Sequence, residues 1–302
     1  MEHIIEIREL DKSFKDVHAV NKLSFNVKSG ELFAFLGVNG AGKSTTISIM
    51  CGTLSKDSGE VIIDGKNIDN DMQEITRELG VVFQNSVLDG ALSVKDNLYY
   101  RASLYGIFNE EANKRITELA KILDFENLLN RTVSKLSGGQ RRKIDVARAL
   151  IHKPKILILD EPTTGLDPQT RKTLWNVIEN CRKNENMTIF LTTHYMEETT
   201  EADYVVILDG GKIVAEGTPI ELKNKYTGDF ITLYNVLEDD VKNLNVKYKT
   251  LKDCIKIETK DTKEARDLIL KYPNLFKDFE ITKGKMDDVF LAVTGKKLVG
   301  GN

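Results

Sequence analysis

The sequence predicts an α/β protein with a mixed sheet, an antiparallel portion near the N-terminus and a small additional α/β domain at the C-terminus. Three observations predict this fold class. Short apolar runs typical of strands alternate with helical patterns between Ile4 and Tyr226. The dipeptide Asp64-Gly65 joins two strand-like runs, as in hairpins. Beyond about Thr227 glycine becomes scarcer and Lys, Asp and Asn increase, which indicates a second domain.

The strand and helix patterns follow one another along the first domain. Alternating apolar and polar residues predict half-buried strands at Ile4–Leu10 and Leu23–Val27. Continuous apolar runs predict strands buried on both faces at Glu31–Gly37, Lys155–Asp160 and Met187–Thr193. Helical patterns occupy the segments Gly42–Cys51, Ser93–Tyr105, Glu110–Leu123, Gly138–His152 and Gln169–Lys183. The apolar runs around Gly210-Gly211 predict a last hairpin.

The second domain is predicted to begin at residue 227. Thr218, Pro219 and Glu221 form the capping-box pattern of a short helix that closes the first domain. The tail then shows a helical pattern at Thr262–Lys271 and strand patterns at Ile231–Val236, Cys254–Thr259 and Phe279–Lys283. We therefore expect one domain at residues 1–226, with a helical subdomain at about 86–153, and an accessory domain at 227–302.

Composition excludes several classes of protein. The 302 residues include 43 Lys and Arg against 46 Asp and Glu, so the net charge of −3 gives no electrostatic reason to expect nucleic-acid binding. Cys51, Cys181 and Cys254 are scattered, which predicts neither a disulfide framework nor a zinc site. Thiols used in this way are typical of a reducing compartment.

A phosphate-binding loop is predicted where the sequence reads GVNGAGKST. The pattern G-x-x-x-x-G-K-[ST] directly follows a buried strand and opens a helix, as such loops require. Backbone N–H groups and the positive helix end would surround a polyphosphate, Lys43 would reach its β and γ phosphates, and Ser44 would hold Mg²⁺. The predicted binding set is Gly37, Val38, Asn39, Gly40, Ala41, Gly42, Lys43, Ser44 and Thr45.

Two adjacent acids end the buried strand ILILDEP, residues 156–162. A carboxylate at the end of a strand beside a phosphate loop can hold a metal through water, a role that suits Asp160. Glu161 is then placed to polarise an attacking water. Without the phosphate loop, a solvated Asp-Glu pair in a surface loop would be an equally good interpretation.

The segment LSGGQ, residues 136–140, suggests a second helix end that receives an anion. Ser137 is a good N-cap, and Gly138 and Gly139 would leave N–H groups of the first helical turn uncovered. Taken alone, the pattern favours an ordinary serine cap on an amphipathic helix.

Together the three motifs resemble those of the nucleotide-binding subunit of an ABC transporter. GVNGAGKST is similar to the Walker A motif, LSGGQ to the ABC signature, and ILILDEP to the Walker B strand with its catalytic glutamate. Their order and spacing fit over roughly Ile4–Tyr226. The resemblance implies a P-loop ABC cassette that uses ATP and Mg²⁺ as a dimer. Residues Ser137, Gly138, Gly139 and Gln140 of one copy would contact the γ-phosphate held by the other.

The resemblance also assigns residues outside these motifs. Gln84 matches the Q-loop glutamine that senses Mg²⁺, so the implied metal ligands are Ser44, Gln84 and Asp160. His194 matches the switch histidine that contacts the γ-phosphate, so the implied catalytic residues are Glu161, His194 and Lys43.

Two further positions complete the implied nucleotide site. Asp167, in GLDP, matches the D-loop residue that crosses the dimer interface. Phe14 matches the aromatic residue that stacks on adenine. Tyrosine is usual at that position, and phenylalanine keeps the ring face while losing the hydroxyl.

The expected partners follow from the same resemblance. No apolar run approaches the roughly 20 residues that span a bilayer, and no secretion signal follows Met1. We therefore expect a peripheral protein at the cytoplasmic face of the cell membrane. It would be held there by a permease on a separate chain and paired with a second, identical or paralogous, cassette. Residues 286–295, MDDVFLAVTG, resemble the ending of exporter-type ATPases for drugs, antibiotics, sodium or haem.

The alternative is a soluble ABC-type ATPase without a permease, acting in translation or on nucleic acid. Translation factors of this kind carry two cassettes, chromosome ATPases a long coiled coil, and excision-repair ATPases zinc-binding cysteines. This chain has one cassette, no sustained heptads within 46–136 and scattered cysteines. A non-hydrolysing regulator would lack Glu161 or His194, and both are present. The sequence thus favours a transport ATPase without a nucleic-acid partner.

Overall fold

A computed structural model describes residues 3–296, so residues 1–2 and 297–302 of the two predicted domains lie outside the described part. The chain forms two compact units, Met1–Ile213 and Val214–Asn302. The first unit contains β1 (His3–Phe14), β2 (Val17–Lys28), β3 (Leu32–Gly37), α1 (Lys43–Met50), β4 (Ser58–Ile63), β5 (Lys66–Asn67), α2 (Ile68–Glu78), β6 (Leu79–Val82), α3 (Val94–Ser103), α4 (Asn109–Ile122), α5 (Gly138–Leu150), β7 (Ile156–Asp160), α6 (Pro168–Glu185), β8 (Thr188–Thr193) and β9 (Tyr204–Asp209).

The division between the units falls inside strand β10 (Lys212–Gly217). The second unit continues with α7 (Pro219–Tyr226), β11 (Asp229–Tyr234), α8 (Glu238–Lys242), β12 (Tyr248–Thr250), β13 (Cys254–Thr259), α9 (Thr262–Lys271), β14 (Phe279–Lys283) and α10 (Met286–Thr294). Within residues 3–296, no helix combines the length and the apolar character that a membrane span requires.

A parallel sheet with the strand order β9-β3-β8-β7-β6 forms the centre of the first unit. Strands β3, β7 and β8 are buried along their whole length, as expected where helices or a second sheet cover both faces. Because parallel strands end at the same edge of a sheet, the carboxyl ends of these three strands lie side by side. That edge is where ligands bind in open α/β sheets.

An antiparallel sheet with the order β2-β1-β4-β5 contacts the parallel sheet through aromatic side chains. The ring of Phe25 on β2 lies 5.3 Å from that of Phe33 and 5.2 Å from that of Phe35, both on β3. Phe190 on β8 stacks on Phe33 with its ring 5.3 Å away. This cluster packs β3, the strand that leads into the next loop, against the antiparallel sheet.

Three helices between β6 and β7 contact one another and occupy the predicted helical subdomain. Ser93 caps α3 and Ser137 caps α5 through side-chain hydrogen bonds to the first helical turn. The sequence did not predict helix α2, which is largely polar and has non-helical backbone angles at Asp71. Its apolar residues Ile68, Met72 and Ile75 recur at i, i+4 and i+7 and pack on the core, so a short helical pattern was present among the polar residues.

The second unit contains a four-stranded antiparallel sheet with the order β12-β13-β11-β14. With α8 and α9 it has the element order β-α-β-β-α-β of ferredoxin-like folds. Its core consists of Ile231, Leu233, Val241, Ile255, Ile257, Ala265 and Phe276. The sequence predicted three of these strands and missed the short β12 and α8.

The structural division at Ile213 and Val214 precedes the predicted boundary at residue 227. Helix α7, which the sequence placed in the first domain, contacts the C-terminal helix α10. Its Leu222 is buried, as are Met286 and Phe290 on α10. The contacts of α7 therefore place this helix in the second unit, and the functional extent of each domain stays a prediction.

Candidate nucleotide-binding site

The predicted phosphate loop connects the buried strand β3 to helix α1. Gly42, the N-cap of α1, has a φ of 104°, and a Cβ there would lie 2.4 Å from the carbonyl oxygen of Ala19. Only glycine fits such a position. A Cβ at Gly37 would lie 2.8 Å from the carbonyl oxygen of Leu208. The two motif glycines are therefore required by the backbone path of the loop.

Lys43 is a buried cation within this loop. Its side chain is 5% exposed, and its Nζ donates to the carbonyl oxygens of Gly37 at 2.7 Å and Val38 at 3.2 Å. Burial lowers the pKa of Lys43, and the negative charges of Glu161 and Asp160 oppose that shift. The loop carbonyls hold the ammonium group at the N-terminus of α1.

Glu161 follows β7 and contacts three of the other predicted residues. Its Oε1 lies 3.6 Å from Lys43 Nζ and 3.2 Å from His194 Nδ1. Its Oε2 accepts a hydrogen bond of 3.1 Å from Gln84 Nε2. Glu161 has a positive φ of 47°, an unusual backbone conformation for a non-glycine residue that often occurs at functional sites. The structure therefore brings together residues from four separate segments.

Asp160 is held by the neighbouring strand. Its Oδ1 accepts a hydrogen bond of 2.6 Å from the hydroxyl of Thr192 on β8, and its side chain is buried. Ser44, the other predicted oxygen ligand, is exposed in the first turn of α1. Among residues 3–296 there is no group of three His, Cys, Asp or Glu side chains suited to a metal ion.

The signature segment forms the N-terminus of α5, and hydrogen bonds within the segment occupy part of that helix end. The Ser137 hydroxyl accepts from the backbone N–H of Gln140 at 3.2 Å, and Gln140 Oε1 accepts from the N–H of Ser137 at 3.1 Å. This is a capping box. The prediction that glycines leave the first-turn N–H groups uncovered therefore needs a correction. Because the Gln140 N–H is bonded internally, the prediction can hold only for Gly138 and Gly139.

The signature and the D-loop lie next to each other. A Cβ at Gly139 would lie 3.2 Å from Thr170 Cγ2 and 3.7 Å from Asp167 Oδ2. Asp167 caps helix α6 by accepting from the N–H of Thr170 at 2.9 Å. Ser137, Gly138 and Asp167 are all exposed. Gly139 and Gln140 are half-buried. We call the group of Ser137, Gly138, Gly139, Gln140 and Asp167 the signature face.

The predicted site residues thus form two groups. Among the hydrogen bonds and ion pairs of the described residues, none joins Ser137–Gln140 to Lys43, Asp160 or Glu161. No described contact links Phe14 to either group. Its ring is 45% exposed, with Lys12 Nζ 5.6 Å from the ring centroid.

Arg142 is a residue of the site that the sequence did not single out. Its buried guanidinium donates to the carbonyl oxygens of Phe83 at 2.5 Å, Asp160 at 3.1 Å, Glu161 at 3.0 Å and Pro162 at 2.7 Å. Burial lowers the pKa of Arg142. The residue therefore ties the signature helix to the segment that carries both acids. Arg142 and Asp145 are three residues apart on α5, a spacing that is also typical of an exposed ion pair, so the sequence pattern did not indicate the burial of Arg142.

A phosphate loop after a buried parallel strand, two acids at a neighbouring strand end and a separate glycine-opened helix define a P-loop nucleotide-binding cassette of the ABC type. Comparisons with known proteins agree. A family model described as ABC transporter matches residues 20–164. The chain belongs to the ABC transporter ATP-binding proteins, so the resemblance noted in the sequence and the predicted cassette fold are confirmed.

Two relatives and one solved structure illustrate the relationship. The Nod factor export ATP-binding protein I of Cupriavidus pinatubonensis is 38% identical over 76% of this chain and 71% of that protein. The probable multidrug ABC transporter ATP-binding protein YbhF of Escherichia coli is 36% identical over 76% of this chain, but the match spans only 39% of YbhF.

The solved structure is that of MJ0796, a bacterial ABC transporter cassette described as dimeric. It matches with a TM-score of 0.66 and 27% identity, covering 71% of this chain and 98% of MJ0796. A further dimeric structure of MJ0796 is a post-hydrolysis state bound to ADP and phosphate, and it matches with the same TM-score and 26% identity.

Proposed function

We propose that this protein is the ATP-hydrolysing, energy-coupling subunit of an ABC transporter, which works as a dimer on a permease encoded on a separate chain. The observation that carries the proposal is the convergence of Lys43, Gln84 and His194 on the carboxylate of Glu161. A buried carboxylate beside a phosphate loop is a suitable general base for hydrolysis.

Nucleotide binding begins at the phosphate loop. Backbone N–H groups at the N-terminus of α1 bind the phosphate chain, and Lys43 places its charge beside the β and γ phosphates. Phe14 offers an exposed ring face on which adenine stacks. Its hairpin continues into β2, whose Ala19 lies against Gly42, so the ring belongs to a chain segment that contacts the loop.

The oxygen donors in the first unit fit Mg²⁺. Mg²⁺ prefers hard oxygen ligands and commonly takes one or two from protein, the rest coming from phosphate and water. The Ser44 hydroxyl and the Asp160 carboxylate supply such donors, with the Gln84 amide as the third candidate. When bound, Mg²⁺ would neutralise charge on the phosphate oxygens.

Hydrolysis then depends on residues of the first unit. Glu161 accepts a proton from a water that attacks the γ-phosphate, since its carboxylate is held by contacts with Gln84 and His194. Lys43 stabilises the negative charge that develops on the phosphate oxygens. His194 lies beside Glu161 at the end of β8 and contacts the γ-phosphate from that side.

The signature face supports a composite site formed by two copies. Ser137, Gly138 and Asp167 of this face are exposed, and Ser137–Gln140 have no described bond to the phosphate loop of their own chain. The N-terminus of α5 in one copy would then bind a phosphate that is held at the N-terminus of α1 in the second copy. Each dimer would then hold two ATP molecules between its cassettes.

Export through a separate permease is the transport activity that we propose. Residues 286–295, which resemble the ending of exporter-type ATPases, form helix α10 and its capping glycine. Two relatives carry names that refer to Nod factor export and to multidrug transport. The permease would hold the protein at the cytoplasmic face of the membrane.

Two neighbouring acids provide the experiment that tests this function. Glu161→Gln keeps the shape of the side chain but removes the base. Turnover should fall at least about 100-fold, while Mg²⁺-ATP binding stays near wild type. Asp160→Asn should instead weaken ATP binding in the presence of Mg²⁺ far more than in its absence.

Phosphate release measures turnover, and titration calorimetry with and without Mg²⁺ measures binding. Glu197→Gln, which changes an exposed acid, is the matched control. Hydrolysis by Glu161→Gln at the wild-type rate would remove Glu161 as the base and contradict the proposed mechanism.

A further inference from the structure

A buried carboxylate behind the site joins the two segments that carry Glu161 and His194. Glu198 is 6% exposed. Its Oε1 accepts a hydrogen bond from the hydroxyl of Thr163, and its Oε2 accepts one of 2.5 Å from the hydroxyl of Thr193. Thr163 follows Glu161 by two residues, and Thr193 directly precedes His194. We call Thr163, Thr193 and Glu198 the clasp.

The clasp continues into the backbone around His194. The Thr193 hydroxyl, which donates to Glu198, also accepts from the backbone N–H of Tyr195 at 2.9 Å. The Tyr195 ring lies 4.1 Å from the His194 ring, and the Arg171 guanidinium lies 5.2 Å from the Tyr195 ring. The imidazole of His194 therefore packs against Tyr195, whose backbone is bonded to the clasp and whose ring lies beside Arg171 of helix α6.

The electrostatics of Glu198 require these partners. Burial raises the pKa of Glu198, while the hydrogen bonds from Thr163 and Thr193 and the positive charge of Arg171 oppose that shift. A buried carboxylate is unfavourable unless its oxygens are hydrogen-bonded. Both oxygens of Glu198 have a hydroxyl donor, one from each of the two segments. A displacement of either segment would therefore break a bond that the carboxylate needs.

We propose that Glu198 is a positioning residue for hydrolysis. It fixes the end of β8 against the segment after β7, and so keeps the His194 imidazole next to the Glu161 carboxylate. The inference rests on the proposed function, because it assumes that His194 and Glu161 act on the γ-phosphate. Glu198 itself touches neither the phosphate loop nor either of these side chains through a described hydrogen bond or ion pair.

Four variants test the clasp: Glu198→Gln, Thr193→Val, the double variant and the exposed neighbour Glu197→Gln as control. We expect the first two to lower kcat by about tenfold to a hundredfold, the range that follows from misplacing a catalytic group by about 1 Å. The KM for ATP should stay within about twofold, because no described hydrogen bond or ion pair joins the clasp to the phosphate loop. The double variant should be no slower than the slower single variant, since the two changes break the same connection. Glu197→Gln should match the wild type.

Measurements of kcat and KM, with melting temperatures to establish that each variant is folded, decide the outcome. An unchanged kcat in Glu198→Gln overturns the inference, as does a raised KM at unchanged kcat or a double variant whose losses multiply. Should Glu198→Gln fail to fold, the nearly isosteric Thr193→Val carries the same test. A parallel His194→Ala variant separates the two proposals. Wild-type turnover in His194→Ala contradicts the proposed role of His194, whereas lost turnover in His194→Ala with normal kcat in Glu198→Gln contradicts only the clasp.

Discussion

Glycines lie at the N-termini of helices α1 and α5 in the first unit, as the cap Gly42 of α1 and as the first two residues of α5. The two ends differ in what they offer to a ligand. The cap of α1, Gly42, provides no side-chain hydrogen bond, and the loop before it holds the buried Lys43. The cap of α5, Ser137, makes a capping box with Gln140 and is exposed. One end holds a buried cation beside Glu161. The other is a partly closed and more exposed surface, where the Arg141 guanidinium donates to the carbonyl oxygen of Leu136.

This difference shows that a helix N-terminus alone does not define a phosphate site. The helix dipole favours an anion at both ends. The contacts around α1, with Lys43, Glu161 and Gln84 grouped beside one another, make it suited to bind and cleave ATP within one chain. Helix α5 has only Gly138 and Gly139 to offer, so it is suited to complete a site that another copy supplies.

The largest effect is expected from a change at the phosphate loop before α1. Lys43→Ala removes the buried cation, and charged hydrogen bonds of this kind contribute roughly 1.5–3 kcal/mol each. ATP should bind at least about tenfold more weakly and turnover should be nearly lost, while the protein stays folded. Titration calorimetry and phosphate release provide the measurements, with the exposed Lys121→Ala on α4 as control. Wild-type hydrolysis by Lys43→Ala would place the phosphates elsewhere.

The second change breaks the exposed end at α5. Ser137→Arg puts a bulky side chain on the signature face, and removing one stabilising donor of this kind typically lowers turnover about 100- to 1,000-fold. ATP affinity of the isolated chain should stay near wild type, because Ser137 has no described bond to the phosphate loop. The neighbouring Ser134→Arg, also exposed, should behave like the wild type. A loss of ATP affinity as large as that of Lys43→Ala would show that both helix ends serve one pocket.

The smallest expected effect tests whether Phe14 binds the adenine of the ATP held at α1. Phe14→Ala should weaken ATP binding by about 0.5–1.5 kcal/mol, the contribution of one aromatic stacking contact beyond area effects. Turnover at saturating ATP should change little, and Phe14→Tyr should bind like the wild type. Val17→Ala alters an exposed apolar residue of the same hairpin and serves as control. Equal affinity in Phe14→Ala and wild type would leave the adenine platform unidentified.

The sequence predicted features that depend on a short stretch of chain better than features that depend on tertiary contacts. The phosphate loop, the strand before Asp160 and the serine cap at Ser137 are readable because each depends on a short stretch of chain. Helix α2 was missed because its three apolar residues are spread among polar ones, although their spacing is helical. The boundary near residue 227 differs from the structural division because helix α7 contacts α10, a contact distant in sequence.

Arg142 and Glu198 show why the rest of the site could not be predicted. Both are charged residues in helical segments, where a charged residue most often faces solvent. Their burial depends on carbonyl and hydroxyl groups from other segments. Motif spacing gives no information about such partners, whereas the family resemblance did indicate Gln84 and His194.

The central claim is that two copies complete each other's site, and the oligomeric state of Glu161→Gln tests it most directly. Without its base this variant should hold uncleaved ATP, which the signature face of a second copy then contacts. Size-exclusion chromatography with light scattering should give twice the mass of one chain with Mg²⁺-ATP and a single-chain mass with Mg²⁺-ADP. Adding Ser137→Arg to Glu161→Gln should abolish that dimer, and adding Ser134→Arg should not. A Glu161→Gln protein that stays monomeric with Mg²⁺-ATP, together with normal hydrolysis by Ser137→Arg, would contradict the account.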